Sequence, residues 1–155
     1  MEDKSIKIMW ENYLKSIGET IENTDKTYEA WHFCNDKETA NKLADLVIKG
    51  IKRGTTSVYK FYEVENEEIP KEGTHSIITN WDGVAKCIIK DKKVYVRPFK
   101  DVDEVLAGIE GEGDKSISYW REVHIECFTE ELKEIGIEFN EDMLVVFEEF
   151  EVVYK

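Results

Sequence analysis

The stretch LVIKGIKRGTTS, residues 46–57, marks the point at which a helix ends and a strand begins. Five apolar residues at three- and four-residue spacing predict the helix: Ala40, Leu43, Ala44, Val47 and Ile48. Asn35 or Asp36 can cap its start, and Gly50 follows its end. The run Thr55-Thr56-Ser57-Val58 is rich in β-branched residues and favours an extended segment after the loop. The sequence therefore predicts a helix, a basic loop and a strand in that order.

Other segments can be assigned outward from this stretch. Periodicity predicts an amphipathic helix over residues 5–17 and a long helix from 116 to 135, each followed by a glycine. Strands are predicted at 28–33, 74–79, 84–89, 94–99 and 143–154, with Asp82-Gly83 as a hairpin turn and Asp101 capping a short helix. Helices interrupt the strands without regular βαβ alternation. We therefore expect an α+β fold, a small curled or barrel sheet with helices packed around it.

Length and composition predict one domain spanning residues 1–155, with an N-terminal helix at about 5–17 and a barrel core at about 28–155. The apolar share of 41% excludes wholesale disorder. The formal net charge of −13 argues against loose, charge-driven association with nucleic acid or anionic membranes. Bases are nevertheless concentrated in two segments: 46–62 holds four and no acid, and 85–100 holds six and one acid.

Three cysteines, Cys34, Cys87 and Cys127, form no short CxxC pair. This spacing fits neither a disulfide framework nor a zinc ribbon and indicates a reducing compartment. The first residues lack the basic and apolar regions of a secretory signal, and no apolar run approaches the roughly 20 residues that span a bilayer. We therefore expect a cytoplasmic protein without a membrane partner; the oligomeric state is left open.

The basic loop carries residues that could perform chemistry. A threonine hydroxyl such as that of Thr55 becomes a nucleophile only when a base removes its proton. Lys52 could act as that base if the neighbouring charges of Lys49 and Arg53 lower its pKa, and Glu112 could orient it. The alternative is that Lys52 is a solvated or phosphate-facing cation and Thr55 an ordinary strand residue. Without further information, an anion-binding cluster is favoured over a catalytic one.

Two other segments are candidate ligand contacts. Trp31 and His32 could stack a base and read its edge, or could be a core residue and a hydrogen-bonded strand residue. The loop Glu110-Gly111-Glu112-Gly113-Asp114 lacks the lysine and hydroxyl of a P-loop, which excludes a phosphate cradle. Its acids could hold a divalent cation, although a favourable interaction with the dipole of the following helix is the commoner explanation.

His124 and Cys127 are three residues apart, a spacing that can place two metal ligands on one helix face. They share that face with apolar residues, so core packing is favoured over a metal site. No metal and no cofactor is predicted.

Four pieces of the chain carry a family resemblance: AWHF at 30–33, LVIKGIKRGTTS at 46–57, EGEGDKS at 110–116 and YWREVH at 119–124. In this order they resemble the ASCH (activating signal cointegrator homology) family, and together they cover most of residues 10–154. The resemblance implies a PUA-like β-barrel fold. It also implies RNA or a nucleoside-type molecule as ligand, since ASCH domains are similar in fold to RNA-binding PUA domains.

Some ASCH proteins cleave RNA, and others are amidohydrolases of N-acetylated cytidine in which a lysine, a threonine and a glutamate act together. The family's G-x-K-x-x-T string falls on Gly50, Lys52 and Thr55, although the spacer Arg53-Gly54 differs from the family pattern. The family's glutamate falls on Glu112, and Glu110 is the alternative position. Ser116 is a further candidate catalytic residue of the same loop. The resemblance also implies a set of ligand-binding residues: Trp31, His32, Lys49, Arg53, Thr56, Asp114, Ser116, Tyr119 and Arg121.

Three hypotheses follow. The first is a domain that binds RNA or a nucleoside-type ligand in a cleft beside the G-x-K-x-x-T loop. The second is an enzyme, a ribonuclease or amidohydrolase using Lys52, Thr55 and Glu112. The third is a protein-interaction module that presents the acidic helix of 116–135 to a basic partner.

Overall fold

A computed structural model describes every residue from 1 to 155 and contains five α-helices and five β-strands. The helices are α1 (Lys4–Ser16), α2 (Lys37–Ile48), α3 (Tyr59–Val64), α4 (Glu104–Glu110) and α5 (Ile117–Lys133). The strands are β1 (Tyr28–Trp31), β2 (Gly54–Val58), β3 (His75–Thr79), β4 (Ala85–Pro98) and β5 (Leu144–Tyr154). None of the helices combines the length and apolar character needed to cross a membrane.

The strands form one mixed sheet in the order β1-β3-β4-β5-β2. β1 pairs with β3 in parallel, whereas the pairs β3–β4 and β2–β5 are antiparallel. The parallel pair requires a long crossover, which the chain supplies through α2, β2 and α3. The α+β class predicted from the sequence is confirmed.

The chain divides into two compact units. Unit 1 comprises Met1–Gly50, Glu72–Lys92 and Phe150–Lys155, and unit 2 comprises Ile51–Lys71 and Lys93–Glu149.

In unit 1, helices cover both faces of the β3–β4 pair. Successive strand residues point to opposite faces, so Ile77 and Ile78 of β3 belong to different clusters. Ile77 packs against α1, whose apolar residues include Trp10, and Ile78 packs against the face of α2 that carries Val47. This double burial explains why all five residues of β3 are buried.

In unit 2, the core lies between β2, the first half of β5 and helices α4 and α5. Phe99 is its centre, with aromatic contacts to Trp120 of α5 at 5.0 Å between ring centroids and to Phe128 at 6.1 Å. The helices also supply Leu106 and Leu132 to this cluster. Unit 2 thus holds α4 and α5 rigidly beside β2, the strand that follows the basic loop.

Three elements differ from the sequence prediction. The two strands predicted at 84–89 and 94–99 are one continuous strand, β4, because Asp91 between them is buried and its backbone N–H donates to Thr74 at 2.9 Å. The helix α3 was not predicted, since its aromatic composition favours strands. Asp103, rather than Asp101, caps α4, because residues 99–101 form a separate 3₁₀ turn.

Candidate functional site

Lys52 lies inside unit 2, although its sequence context suggests an exposed cation. The chain leaves α2 through Gly50, whose φ of +74° is left-handed, and enters β2 at Gly54. Between them the Lys52 side chain turns inward until only 1% of its surface is exposed, and its Nζ donates to the Gly54 carbonyl at 2.8 Å. A buried ammonium needs opposite charge close by, because desolvation of an unpaired ion is strongly unfavourable.

Two glutamates at the end of α4 supply that charge. Glu110 Oε2 lies 3.4 Å from Lys52 Nζ, and Glu112 Oε1 lies 3.5 Å from it. Gly111, between them, ends the helix with a φ of +70°, and a Cβ there would lie 2.1 Å from the Ile51 carbonyl oxygen. Glycine is therefore required twice, for the left-handed turn and for the close approach of the two backbones.

Thr56 and His124 complete the cluster around Glu110. Thr56 Oγ1 donates a short hydrogen bond to Glu110 Oε1, and His124 Nε2 lies 3.3 Å from Oε2 of the same carboxylate. The imidazole of His124 stacks on Trp120 at 4.2 Å and 18° between planes. We refer to Lys52, Thr56, Glu110, Glu112 and His124 as the Lys52 cluster.

The hydrogen bonds of His124 decide its protonation. Its Nδ1 lies 2.8 Å from the Trp120 carbonyl oxygen, which can only accept, so Nδ1 carries a proton. Its Nε2 faces the Glu110 carboxylate, which also accepts when ionised, so Nε2 carries a proton as well. With Glu110 ionised, His124 is an imidazolium, and the Glu110 carboxylate faces two cations, Lys52 and His124.

The sequence model of the ASCH domain matches residues 29–154. The chain belongs to the ASCH-domain family. The crystal structure of an ASCH domain from Lactobacillus crispatus JV V101 is similar at 40% identity and a TM-score of 0.91, covering 99% of this chain and 97% of that chain. Protein EF3133 from Enterococcus faecalis V583, described as family DUF984, is 33% identical with a TM-score of 0.87, covering 97% and 89% respectively. No curated protein matches the chain.

The two glutamates of this ASCH domain have pKa values shifted in opposite directions. Burial alone would raise the pKa of Glu110, but attraction to Lys52 and His124 outweighs burial and holds that pKa well below its ordinary value. Burial raises the pKa of Glu112; Lys52 opposes this, and repulsion by Glu110 adds to it. Burial lowers the pKa of His124, but the charge and hydrogen bond of Glu110 more than reverse this, so it is raised. Glu112 is thus the more readily protonated of the two carboxyls.

Only part of the cluster is open to solvent. The side chains of Lys52 and Glu110 are 1% and 2% exposed, and that of Glu112 is 14% exposed. Thr56 is intermediate. A ligand would therefore meet Glu112 and Thr56, while the buried ions behind them set the charge and orientation of these two groups.

The donor set could in principle hold a metal ion, since ligand atoms of Glu110, Glu112 and His124 lie within 4.8 Å of one another. However, the Lys52 ammonium lies within 3.5 Å of both carboxylates and would repel a cation. The Nε2 proton of His124 would also have to leave before that nitrogen could coordinate a metal. The arrangement therefore suits proton and hydrogen-bond chemistry better than metal binding.

The structure brings together four residues named from the sequence: Lys52, Thr56, Glu110 and Glu112. Both rival glutamates are thus present in the cluster. Thr55, the threonine of the G-x-K-x-x-T string, is adjacent to Thr56 on β2 and points to the other face of the strand. The threonine that bonds to Glu110 is Thr56.

The remaining sequence candidates of unit 2 hold the surroundings in place. Ser116 caps α5 by accepting from the Tyr119 backbone at 3.1 Å, and Asp114 accepts from the Ser116 backbone at 2.9 Å. The Tyr119 ring lies against Gly113, where a Cβ would approach it to 2.5 Å. Arg121 pairs with Glu141 and lies 5.5 Å from the Phe99 ring centroid. Arg53 is exposed, and its backbone N–H donates to the Ile109 carbonyl at 2.8 Å.

Trp31, His32 and Lys49 belong to unit 1. Trp31 packs edge-to-face on Phe33, with 4.9 Å between the ring centroids, and joins the α2 core cluster. His32 pairs instead with the exposed Trp81. Lys49 is the exposed C-cap of α2.

One member of the cluster was not identified from the sequence. His124 was predicted to pack in the core, and its exposure of 8% confirms this, but its contact with Glu110 was not foreseen. The available signal was a histidine on the apolar face of a helix that directly follows a loop with three acids. Such a histidine needs a partner for each ring nitrogen when it is buried.

Proposed function

We propose that this ASCH domain binds single-stranded RNA or a nucleoside-type ligand at the solvent-facing edge of the Lys52 cluster. The observation that carries the proposal is Glu112, a partly exposed carboxyl with a raised pKa, held over a buried set of ions. Buried ion networks are maintained at a cost in stability, and perturbed pKa values concentrate at functional sites.

The chemistry of the edge favours a base over a phosphate. The Lys52 ammonium is directed to the Gly54 carbonyl and the two glutamates, and the ring protons of His124 are directed to Trp120 and Glu110. These cations are therefore not available to an anion. A carboxylate at the edge accepts hydrogen bonds from the amino and imino groups of a base, and the protonated carboxyl can also donate one.

Arg53 is suited to meet the ligand's phosphate. Its side chain is exposed, and its backbone is fixed by the hydrogen bond to Ile109 at 2.8 Å. The guanidinium follows Lys52 directly in the chain, so the same loop supplies the buried cation and an exposed one. Phosphate contacts of this kind make affinity depend on salt.

The test is equilibrium binding of a fluorescently labelled, single-stranded RNA, measured by anisotropy at several salt concentrations. Glu112→Gln should weaken binding by about 5- to 150-fold, because a good base-edge contact contributes about 1–3 kcal/mol. Arg53→Ala should weaken binding and reduce the salt slope by about 1. The matched control is Glu122→Gln, which removes an exposed acid from α5.

Affinities that are the same for wild type, Glu112→Gln and Arg53→Ala would contradict the proposal. A wild-type protein that binds neither RNA nor nucleosides would contradict it as well.

A second candidate function is acyl hydrolysis of a modified nucleoside, and the Thr56–Glu110 contact favours it. A hydroxyl bonded to an oriented carboxylate has the form of an activated nucleophile. Glu112, with its raised pKa, would exchange protons with the leaving group. The lowered pKa of Glu110 makes it a weak base for deprotonating Thr56, which supports binding more strongly than hydrolysis.

Two neighbouring threonines provide a matched test of this second function. Purified protein is assayed for turnover of an N-acylated cytidine and of labelled RNA. Thr56→Ala should abolish turnover, and Thr55→Ala should preserve it, because Thr55 points to the other face of β2. Wild-type rates in both variants would assign the activity to a contaminant. Activity lost in Thr55→Ala but kept in Thr56→Ala would assign the nucleophile to Thr55.

A further inference from the structure

The turn between β3 and β4 presents a tryptophan to solvent. Trp81 is 37% exposed, whereas Trp10 and Trp120 are 5% and 2% exposed, and Trp31 is packed into a core cluster. A large aromatic ring on a four-residue turn is unusual because such turns favour small polar residues. The turn sequence by itself does not require a tryptophan.

The turn that carries Trp81 is firmly held. The Trp81 backbone N–H donates to Asn41 Oδ1 of α2 at 3.0 Å. Asn80 bonds to Val84 through both its backbone and its side chain, each at 2.9 Å. Lys37 Nζ lies 3.3 Å from Asp82 Oδ2 in the same turn. The ring is therefore presented from a fixed backbone, which reduces the entropy lost when a ligand binds.

Trp81 has an aromatic neighbour. The imidazole of His32 lies 4.9 Å from it, between centroids, at 50°. His32 Nδ1 lies 3.1 Å from the Phe33 carbonyl oxygen, which can only accept, so Nδ1 donates. Nε2 is the ring nitrogen that can hydrogen-bond with a base edge or a ribose hydroxyl.

We propose that Trp81 and His32 form a stacking subsite for one unpaired base of single-stranded RNA. Such subsites combine an aromatic face with nearby positive charge that follows the backbone. Here Lys37 neutralises Asp82, the one acid of the turn, so no uncompensated carboxylate of the turn repels the RNA backbone. The subsite deepens the proposed function and rests on it, since both require an RNA ligand.

The experiment titrates the full chain with the RNA decamer rA10 and with AMP. Anisotropy of labelled rA10 gives the dissociation constant, and tryptophan fluorescence reports contact with an indole. Trp81→Ala should weaken rA10 binding by about tenfold, which corresponds to one lost stacking contact. Trp81→Phe should stay within about threefold of wild type, because it keeps an aromatic face. AMP should quench wild-type fluorescence and lose most of that quenching in Trp81→Phe.

Trp10→Phe is the matched control, since Trp10 is buried in the cluster formed with α1 and should leave the affinity unchanged. A thermal melt of Trp81→Ala identifies any effect on folding, and recovery of affinity in Trp81→Phe would attribute the loss to the ring. If Trp81→Ala binds rA10 as wild type does, the subsite is overturned.

The failure of this subsite and that of the proposed function are distinguishable. If Glu112→Gln loses binding and Trp81→Ala keeps it, the subsite is wrong and the Lys52 cluster is supported as the binding site. If Trp81→Ala loses binding and Glu112→Gln keeps it, the subsite is supported and the function proposed for the Lys52 cluster is wrong. A wild type that binds neither rA10 nor AMP overturns both.

Discussion

Replacement of Lys52 by methionine tests the energetics of the buried ions. Methionine retains most of the side-chain volume but removes the ammonium that lies 3.4 and 3.5 Å from Glu110 and Glu112. Removal of one partner of a buried ion pair costs about 3–5 kcal/mol, because the other charge is left uncompensated. A domain of this size has a total stability of about 5–15 kcal/mol. At roughly 2–4 °C per kcal/mol, the melting temperature should fall by about 6–20 °C.

A double-mutant cycle measures the coupling free energy between Lys52 and Glu110. Glu110→Gln alone should also be strongly destabilising, because it leaves Lys52 and His124 without their shared carboxylate. Lys52→Met combined with Glu110→Gln should lose about 1–3 kcal/mol less than the sum of the two single changes. Lys60→Met is the control: Lys60 also lies near a glutamate, Glu63 at 3.0 Å, but both side chains are about half exposed. Its cost should stay below about 1 kcal/mol.

The assay is urea unfolding followed by tryptophan fluorescence, together with calorimetric melts. Trp120, which stacks on His124, reports on this unit directly. The reasoning would be refuted if Lys52→Met cost no more than Lys60→Met, or if the single changes of the cycle added without coupling.

Three further predictions concern the same fold. The folded-state pKa of His124 is raised, so its contribution to stability is complete below the unfolded value of about 6.5 and is lost as the pH rises through the folded value. Above about pH 6.5, the free energy of unfolding of His124→Gln should therefore depend less on pH than that of wild type. Equal pH slopes for the two proteins would contradict this. Gly111→Ala should lower the free energy of unfolding in urea by more than about 2 kcal/mol, since its Cβ would meet a carbonyl oxygen. Gly18 has a φ of +79° but open space around it, so Gly18→Ala should cost only about 1–2 kcal/mol. Equal costs would show that the close approach at Gly111 is unimportant. Tyr13→Phe removes the hydrogen bond of 3.1 Å to His75 and should cost about 1–3 kcal/mol by the same assay, while an unchanged midpoint would mean that His75 finds another partner.

Local signals were enough to predict most elements of this ASCH domain. Apolar spacing and glycine stops located α1, α2 and α5 to within two residues, because these signals depend on neighbours in the chain. The continuity of β4 was not predictable in this way. It depends on the burial of Asp91 and its bond to Thr74, which are consequences of tertiary packing.

The site was predictable in part for a similar reason. Lys52 and the two rival glutamates were named, but the choice between the glutamates could not be made, since both approach one ammonium. The sequence also could not decide which of two adjacent threonines faces Glu110. That depends on the register of β2 with β5, in which Thr56 is opposite Phe147.

The aromatic candidates show the same limit. Trp31 was named because it lies in a motif, and its half-buried ring packs on Phe33 beside the core cluster. Trp81 was interpreted only as part of a turn, and its pairing with His32 brings together residues 49 positions apart in sequence.

The most direct test of the central claim is chemical-shift mapping with isotope-labelled protein and a single-stranded RNA. The account predicts that the backbone amides of Thr56, Gly111 and Gly113 shift with one common dissociation constant, and that Glu112→Gln weakens the response at all three. Saturable RNA binding that leaves these three amides unshifted would contradict the placement of the ligand at the Lys52 cluster.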